Sequence, residues 1–108
     1  LYVNKWTNDN FGGTWVFDIQ PDGTLSNMKK FIDMGGDGMS MDQFGNIYIS
    51  NGLGISAFSA EGKNILNIKT NGLTTNNIFC GLDGKTLFIT AVNKVSKVNM
   101  NNKGVEKY

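Results

Sequence analysis

Three short runs of the chain echo one another: Leu1-Tyr2-Val3, Ile47-Tyr48-Ile49 and Leu87-Phe88-Ile89. Each is followed by a second alternating run, Trp15-Val16-Phe17-Asp18-Ile19, then Ile55-Ser56-Ala57-Phe58-Ser59, then Val95-Ser96-Lys97-Val98-Asn99. Successive strand side chains point to opposite faces, so this alternation reads as strands with one buried side. The unit recurs at about 40 to 46 residues, the spacing of propeller blades. A third strand is expected in each unit after a further turn. Pro21-Asp22-Gly23-Thr24 leads to Met28-Lys29-Lys30-Phe31-Ile32, and Ala60-Glu61-Gly62-Lys63 leads to Ile65-Leu66-Asn67-Ile68. Gly turns also precede two of the triplets, at Gln43-Phe44-Gly45-Asn46 and Asp83-Gly84-Lys85-Thr86. Glycine accepts positive φ without steric cost and a nearby acid can bond the local backbone, so these are hairpin signals.

No segment carries apolar residues at helical spacing for long enough to compete, and the chain reads as all-β. A propeller blade needs neighbours to cover its apolar faces, and the 108 residues hold roughly two and a half units. The chain also opens inside a strand, with no turn, cap or initiator methionine before Leu1. The expectation is therefore a partial β-propeller, the C-terminal part of a longer one. Its blade segments fall at about 1–34, 35–70 and 71–108, and the N-terminal blades of the same protein are its missing partners. A self-standing β-sandwich is the structural alternative, because short strands at regular spacing suit it too.

Composition narrows the function. Net charge is +1 and the ten Lys and Arg are scattered, so no basic stripe for nucleic acid is expected. Apolar runs of a few residues fall far short of the roughly 20 that a membrane helix needs, and no membrane partner is expected. There is no histidine, which removes Ser-His-Asp and Cys-His catalysis and histidine-ligated zinc. Chemistry must run on carboxylates, amides or a bound ion. The single cysteine, Cys80, is expected to be a small core hydrophobe.

The acids sort by their surroundings. Asp22, Asp83 and Glu61 precede glycine in hairpin turns, and Asp42 stands three residues before Gly45 in another, so all four read as turn formers. Asp18 and Asp33 lie in or near strands, while Asp9 and Glu106 sit in polar stretches where a solvated carboxylate is ordinary. Asp37 is left over. It lies between Gly36 and Gly38, just before the alternating Met39-Ser40-Met41-Asp42, which would form the innermost strand of the second unit. It either faces the central channel or forms one more loop turn. The stretch is not a phosphate cradle, since Met41 stands where the last glycine should be and a strand follows instead of a helix. The loop from Thr7 to Gly13 lacks the acid order of an EF-hand and is expected to be a long hairpin loop.

Taken together, Asp37-Gly38-Met39, Met41-Asp42, Gly45-Asn46-Ile47-Tyr48-Ile49, Gly54-Ile55, Thr75-Asn76-Asn77-Ile78-Phe79 and the run from Asp83 to Ala91 resemble the C-terminal third of the gluconolactonase and senescence marker protein family. Phe17-Asp18, Asp22-Gly23-Thr24-Leu25-Ser26-Asn27 and Phe31 resemble the preceding blade. The resemblance implies a six-bladed propeller with one divalent metal ion (Ca²⁺, Mg²⁺, Mn²⁺ or Zn²⁺) in its channel, acting on a small-molecule sugar lactone. It makes Asp37 a metal ligand and a candidate catalytic base, beside a Glu and an Asn for which this chain has no counterpart. An all-oxygen site suits a hard cation and needs no histidine. Cys80 stands where the family often has glycine, and Gly36 where proline often precedes the Asp. The expected function is that of part of a metal-dependent lactonase, inactive on its own. The alternative is a non-catalytic propeller that binds a ligand or partner.

Overall fold

The computed structural model describes residues 1–5, 12–52 and 54–105. The expected loop over residues 7–13 lies mostly outside these, as do Asp9 and Glu106. Ten strands and no helix are present among the described residues. No helix long and apolar enough to cross a membrane occurs there. The chain divides into two compact units, Leu1–Gly36 and Asp37–Tyr108.

The first unit is one antiparallel sheet in the order β1 (Tyr2–Lys5), β2 (Gly13–Ile19), β3 (Leu25–Ile32). Its register sets Val3 opposite Trp15 and Trp15 opposite Lys30. The Lys30 ammonium lies 5.7 Å from the Trp15 ring centre and 2.7 Å from Asp33. On the other face Tyr2 meets Phe31 edge to face at 5.1 Å, a favoured arrangement of ring quadrupoles. Thr14 is fully buried, and its hydroxyl lies 2.7 Å from Asn4 Oδ1 and 2.8 Å from the Met34 carbonyl. The β2–β3 turn is the predicted Asp-Gly hairpin. Gln20 N–H donates to the Thr24 carbonyl, Gly23 adopts φ 85°, and Asp22 accepts from the Thr24 amide and hydroxyl.

The second unit holds two sheets. One has the order β4 (Met39–Met41), β5 (Ile47–Asn51), β6 (Gly54–Phe58), β7 (Asn64–Lys69). The other pairs β8 (Thr74–Cys80), β9 (Thr86–Ala91) and β10 (Lys94–Asn99) in that order. The β6–β7 turn repeats the geometry of β2–β3. Ser59 N–H donates to Lys63 O, Gly62 N–H to Ser59 O, and Gly62 takes φ 84°. Equivalent turn chemistry at equivalent positions is what a structural repeat requires.

The core lies between these two sheets. Tyr48, Ile55 and Ala57 face Phe79, Leu87 and Ile89, with Ile68, Val98 and Met100 packed around them. The Tyr48 and Phe79 rings cross at 84° with centroids 5.0 Å apart. The expectation for Cys80 is overturned, for its thiol is exposed. The pleat explains this: β8 buries Asn77 and Phe79 and turns Ile78 and Cys80 outward. The same face buries polar atoms, all of them partnered. Asn77 Oδ1 accepts from the Ser40 hydroxyl, and its Nδ2 donates to the Tyr48 carbonyl and Ser50 Oγ.

After β10 the chain turns back along β4. Met100 N–H donates to Lys85 O, Gln43 N–H to Lys103 O, and Val105 N–H to Met41 O. An isolated bridge joins Asp42 to Gly104. One turn is strained: Val92 begins the two-residue β9–β10 hairpin at φ 51°, a conformation that β-branched residues strongly disfavour.

Candidate functional site

Two aspartates flank β4, and they have opposite fates. Asp37 precedes the strand and is exposed; its carboxylate makes no hydrogen bond or ion pair among the described residues. Asp42 follows it and is fully buried.

The Asp37 backbone is fixed by what lies around it. Asp37 N–H donates to the Ser50 carbonyl at 3.0 Å, and Ser50 N–H returns a bond to Gly38 O at 2.8 Å. On its other side Gly38 N–H donates to the Thr75 carbonyl at 2.9 Å. The Gly38 peptide therefore bridges the two sheets, bonding β5 on one side and β8 on the other. The glycine is required by close approach rather than by its φ. A Cβ at Gly38 would lie 2.1 Å from Asn76 Oδ1 and 2.6 Å from Asn76 Cα, distances that real carbon atoms do not reach. The result is a free carboxylate on a rigid support, where most loop carboxylates have only a flexible one.

Asp42 is the opposite case. Oδ1 accepts from the Phe44 amide at 2.9 Å and the Asn46 amide at 3.0 Å. Oδ2 accepts from Asn46 Nδ2 at 2.8 Å, Asn102 Nδ2 at 2.8 Å and the Tyr48 hydroxyl at 3.1 Å. Burial on its own would raise the Asp42 carboxyl, but the hydrogen bonds from Asn46, Asn102 and Phe44 outweigh it and hold it below the ordinary 3.8. Tyr48 moves the other way. Burial, the neighbouring Asp42 charge and the bond it donates to that carboxylate push its phenol up to about 12. The reading of Asp42 as a turn former captures only its two local amide bonds. Asn102 lies 60 residues away, and that long-range donor leaves no sequence signal near Asp42. With its lone pairs engaged, Asp42 is a structural anchor that joins the β4–β5 turn, the core tyrosine and the C-terminal segment.

The other acids among the described residues have local partners. Asp18 accepts from Asn27 Nδ2 at 2.8 Å, and Asp83 from the Lys85 amide at 3.0 Å. Hydrogen bonding lowers the Asp22 carboxyl through Thr24 and the Glu61 carboxyl through Ser59. No group of three His, Cys, Asp or Glu side chains converges among the described residues.

The sequence matches the SMP-30/gluconolactonase/LRE-like region over residues 5–93. No curated protein matches it. Among solved structures, a gluconolactonase from Xanthomonas campestris superposes with a TM-score of 0.78 at 24% identity. That match covers 91% of this chain and 33% of the other. A structural-genomics target assigned as a gluconolactonase superposes with a TM-score of 0.64 at 23% identity, over 88% of this chain and 48% of its own. The chain thus spans between a third and a half of the length of these proteins, and at such identities the likeness is one of fold. Its all-β sheets form part of a β-propeller, and the chain belongs to the SMP-30/gluconolactonase/LRE-like family.

Proposed function

We propose that this chain is part of a divalent-metal-dependent sugar lactone hydrolase in which Asp37 is a metal ligand. The observation that carries the reading is the contrast at β4 within a chain of this family. Asp42 is buried and saturated with donors, whereas Asp37 keeps its lone pairs free on a backbone fixed to both sheets. The donor chemistry fits in kind. A carboxylate in a chain without histidine suits Ca²⁺, Mg²⁺ or Mn²⁺ better than a soft metal, with Zn²⁺ also acceptable. It does not fit in number, since Asp37 stands without two further acidic, histidine or cysteine partners among the described residues. Further ligands would come from blades outside this chain.

The chemistry a bound hard cation would supply is polarisation of the lactone carbonyl and stabilisation of the oxyanion. The residues of this chain have simpler tasks. The Ser50 and Thr75 carbonyls hold the Asp37-Gly38 backbone. The Asp37 carboxylate would be the ligand this chain contributes to such an ion. Substrate hydroxyls would be recognised largely by the absent blades.

Paramagnetic Mn²⁺ tests the ligand. Selective broadening of the Asp37 resonances in NMR spectra of the protein with its further blades, abolished by Asp37→Asn, is the expected result. Broadening spread over all exposed carboxylates, or none at Asp37, would remove it from the metal site and favour a non-catalytic binding scaffold.

A further inference from the structure

Gly38 is packed against one particular side chain, and that side chain has a second engagement. Strand β8 has a register irregularity between Thr74 and Asn76. The bulge leaves Thr75 without a register partner on β9, while Asn76 and Asn77 keep theirs, Thr90 and Ile89. Here the Asn76 side chain folds back so that its Oδ1 accepts from the Asn77 amide at 2.8 Å. The same Oδ1 and Cγ fill the space where a Gly38 Cβ would be. The Thr75 carbonyl, immediately before Asn76, receives the Gly38 amide. Thr90 supports the bulge from β9, with its hydroxyl 2.9 Å from that of Thr75 and 3.4 Å from the Asn76 carbonyl.

We infer that Asn76 is a positioning residue for Asp37. It holds the β8 bulge in the shape that presents Thr75 O to Gly38, and its side chain forms the floor on which the Asp37-Gly38 peptide rests. This rests on the reading of Asp37 as the functional carboxylate. Residues behind a ligand are tuned this way because the ligand's geometry depends on what its backbone is packed against. Asn76 is itself exposed, its Oδ1 is committed to Asn77, and it has no core role to explain it.

The test is amide hydrogen exchange in the 108-residue chain, read at Asp37 and Gly38 against Ile55 and Ile89 in the core strands. Asn76→Ala is expected to speed exchange at Asp37 and Gly38 by about tenfold, the order of one lost hydrogen bond, with the core amides unchanged. Asn76→Asp keeps the acceptor oxygen and the shape, and is expected to restore protection. Should Asn76→Ala fail to fold, Asn76→Ser, whose shorter side chain keeps an oxygen, is read the same way and is expected to fall between the two. Unchanged exchange at Asp37 and Gly38 would overturn the inference, as would equal acceleration at every amide or failure of Asn76→Asp to restore protection. The Mn²⁺ experiment decides separately whether Asp37 binds metal. An Asp37 that ignores Mn²⁺ while the exchange pattern holds would end the metal reading alone.

Discussion

Asp37 and Asp42 lie five positions apart, and nothing in their immediate spelling says that one is free and the other saturated. Asp37 is recognisable as unusual because glycine stands on both sides of it. The structure gives a reason for Gly38, which is the backbone of Asn76 pressed against it. Gly38→Ala is accordingly expected to destabilise the second unit by about 2 kcal/mol, within the range for overpacking, measured as a drop in its urea midpoint. For Asp42 the sign of the pH dependence follows from a carboxyl held below 3.8. The unfolded chain takes up a proton at the ordinary value while the folded one does not, so its contribution is complete above that value. It is lost as pH falls from about 4 through the folded pKa. Asp42→Asn should flatten this acid limb. At neutral pH it should cost about 2 kcal/mol, because an amide offers donors to a pocket already lined with Asn46, Asn102 and Tyr48 donors. Urea titrations at pH 3 to 7 check both.

The hairpins were readable because their chemistry is local. Asp22-Gly23 and Glu61-Gly62 form turns of the same geometry in successive sheets, with φ 85° and 84° at the glycines. Pairing within each sheet follows from these turns and from the alternation. The β8 strand was visible only through its family resemblance, since Thr74-Thr75-Asn76-Asn77 is polar and the bulge breaks its period. The expectation for Cys80 rested on residue type, which carries no register. A single residue of extra chain reverses which side chains face the core, and Phe79 takes the inward position. The β9–β10 hairpin departs from turn chemistry in another way, with Val92 where glycine would be favoured. Val92→Gly should raise stability by about 1 kcal/mol, because relieving the left-handed conformation of a β-branched residue outweighs the added freedom of the unfolded chain. A rise in the thermal midpoint is the expected reading.

The fold of the chain is the one expected from its repeats and its family the one implied by its resemblance, while the activity proposed for it would need more blades than this chain holds. With Mn²⁺ or Ca²⁺ added, the 108 residues alone are expected to hydrolyse gluconolactone at a small fraction of the rate of a complete family member. A comparable rate would mean that this chain carries a full site, against the single ligand proposed. Exposed apolar residues such as Ile19, Met28, Val95 and Leu82, with β10 paired on one side only, make concentration-dependent self-association the expected behaviour of the isolated chain. Sedimentation velocity over a range of concentrations checks this.

The sequence by itself determined the class of fold, the repeat and its turns, because alternation and acid-Gly dipeptides act over a few neighbouring residues. It also singled out Asp37 by elimination and resemblance. Only the tertiary structure decided that Asp42 is an anchor and Cys80 an exposed thiol, and that Asn76 is the floor beneath Gly38. Each of these depends on contacts between segments far apart in the chain or on a one-residue change of strand register, and neither is written in the residues on either side.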